Sequence, residues 1–353
     1  MNKIIKYIGA SAVICLMAGC TTNFEDFNTN PYQPSKVPAN TLLSGMFNVY
    51  AAPMQNDCQH INCMWACFSG QITAPSTWSK GENLFAYYNA MEDHNAATWA
   101  KIYARIYPNF FRIEEATEKK GVIYAMAQLT RIYAMQMMAS LQGPIPYSKV
   151  KSGDIRAAYD DEPTAWRAMF DDLDNVIAIL KSAAELGINQ DLAAVDQFYG
   201  GNCEKWMKFA NTLKLRMAIR VSGVADYAQA EEAVRGGVLE SVSDSSYDTT
   251  SSGINENGYA IVSGWGEVRA NACITSYMNG YKDPRRSAYF TKQAAGFSED
   301  YVGVRSGSSV APNPSDYQNY SNLMITTDKT LPQPVMYAAE AAFLRAEGEL
   351  KGW

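Results

Sequence analysis

A chain of 353 residues with 47% apolar and 19% charged side chains is long enough for a large buried core and too apolar for a disordered protein. The formal net charge of -6, with no basic run, leaves no electrostatic footprint for nucleic acid or for anionic lipid. Aromatics reach 12%, led by 22 tyrosines, whose flat apolar face and polar tip suit sugars as well as ordinary core packing.

The first twenty residues read as a lipoprotein leader. Met1–Lys6 carries Lys3 and Lys6, and Tyr7–Ala18 is an apolar stretch too short to span a bilayer as a helix. Ala18-Gly19-Cys20 then places small residues before a cysteine, the pattern of a lipobox, with Met17 where leucine is usual. Residues 1–19 are thus expected to be cleaved, leaving Cys20 acylated on sulfur and nitrogen. Cleavage removes two lysines and no acid, leaving 28 bases against 36 acids, a charge of -8. Each buried CH₂ of an acyl chain contributes about 0.8 kcal/mol, so two or three chains tether the protein nearly permanently. No other stretch is apolar for the ~18 residues a span requires. Residues 20–36, polar and rich in Pro and Asn, read as a flexible stalk, and 37–353 as the folded domain.

Loss of Cys15 with the leader and acylation of Cys20 leave Cys58, Cys63, Cys67, Cys203 and Cys273. Cys58, Cys63 and Cys67 lie near His60, but their spacing matches no zinc knuckle. Apolar neighbours Met64, Trp65 and Phe68 point instead to buried cysteines, with Trp65 in the core. No metal site and no cofactor are assigned; calcium in the Asp244–Glu256 loop stays open, although the loop has no recognisable calcium spacing.

Helical stripes fill the middle of the chain. Trp99, Ile102, Tyr103 and Ile106 form the first, with a kink or break expected at Pro108. Met126, Leu129, Tyr133 and Met137 form the second, ended by Gly143-Pro144. Trp166, Phe170, Leu173 and Ile177 form the third, with Pro163 in its first turn and a cap within Asp160–Glu162. Trp206, Ala210, Leu213 and Met217 form the fourth, with Lys205, Lys208, Lys214 and Arg216 on its other faces. An alanine-rich fifth spans Pro334–Leu350. Trp99, Trp166 and Trp206 are therefore expected in the core. The fold class is mainly α: helix pairs with short links, resembling tetratricopeptide units stacked as an α-α superhelix. Two long tracts, Ser241–Gly258 and Phe297–Asp328, interrupt it as loop insertions, where binding residues concentrate. Stopping at Trp353 just after a strong helix suggests that further helices follow.

Several segments, in order, carry a family resemblance: Cys20 with Phe24-Glu25-Asp26-Phe27-Asn28 and Asn30-Pro31; Gly143-Pro144-Ile145-Pro146-Tyr147, with Pro144 where the family has Asp; Ala158-Tyr159-Asp160 before the Trp166–Leu180 helix; Asp196-Gln197-Phe198-Tyr199-Gly200-Gly201 with Lys205-Trp206-Met207-Lys208-Phe209-Ala210-Asn211 and Leu213–Arg220; Asp283-Pro284-Arg285-Arg286; and Tyr337–Glu347. This ordered set resembles the SusD/RagB family of nutrient-binding outer-membrane lipoproteins. The resemblance implies a helical protein with tetratricopeptide-like pairs, exposed on the outer membrane. Such a protein captures a glycan, or in some members a peptide, and passes it to a SusC-like TonB-dependent transporter. It also implies a C-terminal portion beyond Trp353, and a structural role for the matched motifs.

Ligand residues come from side-chain chemistry, not from a family motif. Sugars are gripped by aromatic faces beside hydrogen-bonding side chains. Ser76–Asn83 offers Trp78 and Asn83, and Asn255–Arg269 offers Tyr259, Trp265 and Arg269. Trp265, flanked by glycines, either stands exposed or plugs a gap between helices. A surface glycoside hydrolase would need two carboxylates across a cleft. The pairs Glu114-Glu115, Asp171-Asp172 and Glu231-Glu232 instead sit on amphipathic helices, and no nucleophile or metal-hydrolase motif occurs. The chain is read as a binder, not an enzyme; a purely structural surface lipoprotein and a surface glycoside hydrolase are the weaker alternatives.

Overall fold

The computed structural model describes residues 37–51, 64–75, 85–89, 92–153, 156–224, 228–248, 257–307, 317–327 and 332–353. The expected leader and stalk (residues 1–36), Cys20, Cys58, Cys63, Trp78 and Asn83 lie outside them. The elements in chain order are α1 (Ala39–Ala51), α2 (Met64–Phe68), β1 (Ile72–Thr73), α3 (Glu92–Thr117), α4 (Gly121–Gln142), α5 (Glu162–Leu186), α6 (Gln190–Ala193), α7 (Cys203–Arg220), α8 (Ala228–Arg235), β2 (Ser246–Asp248), α9 (Gly258–Gly264), β3 (Arg269–Ala270), α10 (Ala272–Gly280), α11 (Arg286–Tyr289), β4 (Gln333–Met336) and α12 (Ala338–Leu350). Ala39–Trp353 form one unit.

Long helices make the frame. The helices α1, α3 and α4 pack on one another, α4 on α5, α5 on α7, and α7 on α8 and α12. The stripes explain the order: Ile102, Ile106, Phe110 and Ile113 of α3 are buried, as are Met126, Leu129 and Ile132 of α4. At the centre Trp206 is fully buried, stacked on Phe47 at 6.2 Å and meeting Phe209 edge-on at 5.1 Å. Helix ends follow their chemistry. The Asp161 carboxylate accepts from the Thr164 N–H at 2.8 Å with Pro163 in the first turn of α5, and Gly143 closes α4 at φ 77°.

Two buried carboxylates organise the matched motifs. Asp196 accepts from the N–H groups of Phe198, Tyr199 and Gly201 and from Trp206 Nε1 at 2.7 Å, tying the Asp196–Gly201 turn to α7. Asp160 accepts from the N–H groups of Tyr147 and Ser148, from Ser148 Oγ, and pairs with Lys149. Burial alone would raise the Asp160 carboxyl, but the Ser148 and Tyr147 bonds, with Lys149, hold it below the usual carboxylate range. These motifs serve the scaffold.

Four expectations are corrected. The helix α3 continues through Pro108 rather than breaking there. The lost N–H is offset by burial on both sides of it and by Tyr103 and Tyr107, whose hydroxyls both donate to the Pro146 carbonyl. The alanine-rich stretch is helical only from Ala338; Gln333–Met336 is strand β4, paired antiparallel with β2. A residue before proline favours extended backbone, and Pro334 tolerates an edge position. Lys214 is buried, bridging Asp174 at 2.7 Å and Glu232 at 2.8 Å. Trp65 is 38% exposed: α2 is too short to bury all its faces, and Ala66 and Cys67 take the inward positions.

The second region is loop-rich. Strands β1 and β3 pair antiparallel, Ile72 with Ala270 and Thr73 with Arg269. Two small clusters support it: Ala66, Cys67, Ile72, Ala74, Val262 and Val268, and Ala270, Met278, Phe290 and Tyr301. Asn271 joins the pieces. Its Oδ1 accepts from the Cys273 N–H, and its Nδ2 donates to the Ile72 carbonyl and to Ser306 Oγ. Gly303 lies so near that a Cβ would stand 2.3 Å from the Asn271 carbonyl carbon, so only glycine fits.

Candidate ligand-binding site

The loop-rich region holds a cavity of about 990 Å³ whose wall carries Tyr247, Asn257, Tyr259, Tyr289, Phe290 and Tyr337. Each tyrosine is positioned by local sequence. Asn257 is buried and caps α9, its Oδ1 accepting from the Tyr259 N–H at 3.1 Å, which brings Tyr259 to the wall. The Asp283–Arg286 turn sets α11: Arg285 forks onto the Asp283 carboxylate, and Arg286 donates to the Asp283 carbonyl and to Asn279 Oδ1. The turn carries Tyr289 to the cavity, with the Arg285 guanidinium over its ring at 6.0 Å. The hydrogen bonds from Arg285 pull the Asp283 carboxyl down to about 2. Tyr247 and Tyr337 sit on the β2–β4 ribbon and its continuation, with rings 5.8 Å apart and edge-to-face. Partial burial, then the neighbouring Tyr247 and Tyr289, push the Tyr337 hydroxyl above its usual value, so it stays a neutral donor.

A ridge of exposed aromatics stands on the same small core. Trp65 meets Phe68 edge-on at 5.9 Å, and Phe68 meets Tyr88 at 5.7 Å. Tyr88 is 57% exposed, and Tyr87 is exposed beside it. Phe68 and Tyr259 pack against one cluster, so ridge and cavity share a floor. In that floor the buried Cys67 thiol is pushed up to about 12 by burial and is chemically inert.

The residues singled out from sequence divide clearly. Tyr259 lines the cavity. Trp265 ends the same helix and is 43% exposed, so it stands outward rather than filling a gap. Arg269 is buried, and its guanidinium donates from Nε to the Tyr317 carbonyl and from Nη1 to the Val268 carbonyl. Burial lowers its pKa from the usual arginine value. Arg269 thus holds the 317–323 segment in place from within. Trp78 and Asn83 fall outside the described residues. Sequence reasoning passed over Tyr247, Tyr289 and Tyr337 because they come from three separate segments that only the fold brings together. It passed over Trp65 because an apolar neighbourhood reads as core.

Among the described residues lining the cavity there is no carboxylate, lysine, arginine or histidine. The acid pairs are placed elsewhere: Glu114-Glu115 on α3, Asp171-Asp172 on α5 and Glu231-Glu232 on α8. Asp172 accepts from the Tyr147 hydroxyl and Glu232 from Lys214. Asp244 accepts from the Glu240 and Ser241 N–H groups and from Lys208, a set of internal partners.

Residues 24–353 match the family model described as SusD-like, "Susd and RagB outer membrane lipoprotein". Among solved structures, a SusD-like protein from Bacteroides thetaiotaomicron is 71% identical with a TM-score of 0.85, covering 90% of this chain and 66% of its own. A SusD homologue from Bacteroides ovatus is 31% identical with a TM-score of 0.77, covering 89% and 65%. A chitin-binding SusD homologue from Flavobacterium johnsoniae is 31% identical with a TM-score of 0.79, covering 89% and 66%. The chain thus spans about two-thirds of the length of these relatives. No curated protein matches it.

Proposed function

The chain belongs to the SusD-like family of outer membrane lipoproteins, and on that footing we propose that it is a cell-surface glycan-binding protein that captures saccharide at the tyrosine-lined cavity. The cavity carries the reading: a concave, mostly apolar wall that includes four tyrosines and Asn257. Ring faces stack on the C–H surfaces of a pyranose while phenol and amide groups select its hydroxyls. A related protein from Flavobacterium johnsoniae is described as chitin-binding, which supports a polysaccharide as the ligand class. In this reading Tyr259, Tyr289 and Tyr337 touch the glycan. Trp265, Trp78, Asn83 and the Trp65–Tyr88 ridge extend the contact, and Arg269 acts by holding the segment behind it.

Binding without turnover fits the same wall. Glycoside hydrolysis takes two carboxylates about 5–9 Å apart, and the described lining offers none. Cys20 is the anchor in this account, holding the protein on the outer membrane facing outward, and a SusC-like TonB-dependent transporter receives the captured glycan. The test is a panel of polysaccharides and peptides titrated against the purified protein, with reducing ends assayed in parallel. Retention of one polysaccharide without release of new reducing ends is the expected result. A peptide hit alone, or release of product, overturns the reading.

A further inference from the structure

Beyond the loop-side cavity, the helical frame carries a second groove, along α3 and residues 146–153 and 156–160. One half, of about 900 Å³, is walled by Trp99, Tyr103, Tyr107, Arg112, Arg156 and Tyr159. The other half, of about 910 Å³, is walled by acids: Glu114, Glu115, Glu118, Asp171 and Asp172, with Lys119 and the buried Arg131 among them. Phe111, Glu115, Val150, Lys151 and Ser152 line both halves, so the two lie side by side.

The aromatic half is a column of rings. Residues 99, 103 and 107 recur every four positions on α3, so their rings stand over one another. Tyr107 stacks on Tyr103 at 5.2 Å and 12°, Tyr103 on Trp99 at 4.8 Å and 29°, and Trp99 on Tyr159 at 5.8 Å and 16°. The column is fixed at its base, where the Tyr103 and Tyr107 hydroxyls donate to the Pro146 carbonyl. At its end Tyr159 is 58% exposed, although the next residue, Asp160, is fully buried. Plain packing explains Tyr103 and Tyr107. It does not explain a stacked tyrosine held open on a groove wall beside exposed Arg156 and Lys151. A rigid ring flanked by side-chain donors at one end and carboxylate acceptors at the other is the chemistry of saccharide recognition.

We propose that this groove is a second glycan subsite, taking an extended neutral or amine-bearing oligosaccharide with one sugar ring on Tyr159 and its hydroxyl or amino groups toward the carboxylates. The five acids of one half outnumber Lys119, Lys151 and Arg131 there and favour an amine at that end, while Arg112 and Arg156 put donors at the Tyr159 end. The subsite rests on the reading of the chain as a glycan binder and adds to it that capture is two-sited.

Calorimetric titration of the purified protein with neutral, amine-bearing and uronic-acid oligosaccharides tests it. The set compares wild type, Tyr159→Ala, Tyr159→Phe, Arg156→Ala and the cavity variant Tyr289→Ala. The fold should survive in Tyr159→Ala, because Lys149 binds the backbone carbonyl of Tyr159; an unchanged melting temperature checks this. The expected result is two binding events, of which Tyr159→Ala weakens one and Tyr289→Ala the other, each about tenfold. Tyr159→Phe should keep both, Arg156→Ala should weaken the Tyr159 event severalfold, and an amine-bearing oligosaccharide should bind the groove more tightly than its neutral counterpart. Unchanged titration of Tyr159→Ala overturns the subsite and leaves capture at the cavity standing. No glycan binding by the wild type overturns both.

Discussion

The helical frame and the loop-rich region use the same side chains in opposite ways. In the frame, Trp206, Phe47 and Phe209 are fully buried, and carboxylates such as Asp160 and Asp196 close turns. In the loop-rich region the helices shorten to a few residues, the strands pair only in twos, and Trp65, Tyr88, Trp265 and Tyr289 face solvent. The difference teaches where energy is held in reserve. Long helices cover Trp206, Phe47 and Phe209 completely, whereas two clusters of a few residues each cannot cover the aromatics around them. Those uncovered rings are what the second region has to offer a ligand.

The contrast is broken most severely from the frame. Trp206→Ala should cost about 3–5 kcal/mol, measured by denaturant unfolding, and should abolish binding only by unfolding the chain. Asp160→Asn comes next, at about 1–3 kcal/mol near neutral pH. Its carboxyl is held below the usual aspartate value of about 4. Its stabilisation is therefore fully present above about pH 4 and fades as pH falls through the depressed value. The stability gap between wild type and variant should close in acid; a gap constant from pH 7 to 2 would contradict the assignment. Gly303→Ala follows in the loop-rich region. Its new Cβ meets the Asn271 carbonyl and should cost about 1–3 kcal/mol, loosening the cavity and weakening binding with little effect on the frame helices. Tyr289→Ala should be smallest in stability, within about 1 kcal/mol, yet should reduce glycan affinity about tenfold, or ~1.4 kcal/mol. A Tyr289→Ala protein with full affinity would separate the cavity from the ligand.

The frame was legible in the sequence because periodic burial leaves a periodic record. Trp166, Phe170 and Leu173 lie inward as their spacing implies, and the cap at Asp161 and the stop at Gly143 follow local chemistry. Pro108 misled because tertiary anchoring of Tyr103 and Tyr107 outweighs a local rule. Pro334–Met336 misled because pairing with β2, more than eighty residues upstream, decides its conformation. Of the candidate site, Tyr259 was singled out from a polar, glycine-rich context, which left exposure and gap-filling equally open for Trp265. Arg269 was picked as a ligand contact for its charge, while its guanidinium is bound to two carbonyls that no spacing reveals. Tyr247, Tyr289 and Tyr337 meet only through folding, so no local pattern could have joined them.

The most direct test of glycan capture by the loop-rich region is hydrogen–deuterium exchange of the purified protein, free and saturated with the polysaccharide that binds it. Slowed exchange across 257–265, 286–290 and 333–337, with α7 unchanged, is the predicted result. Saturation that leaves these segments exchanging as in the free protein would contradict it.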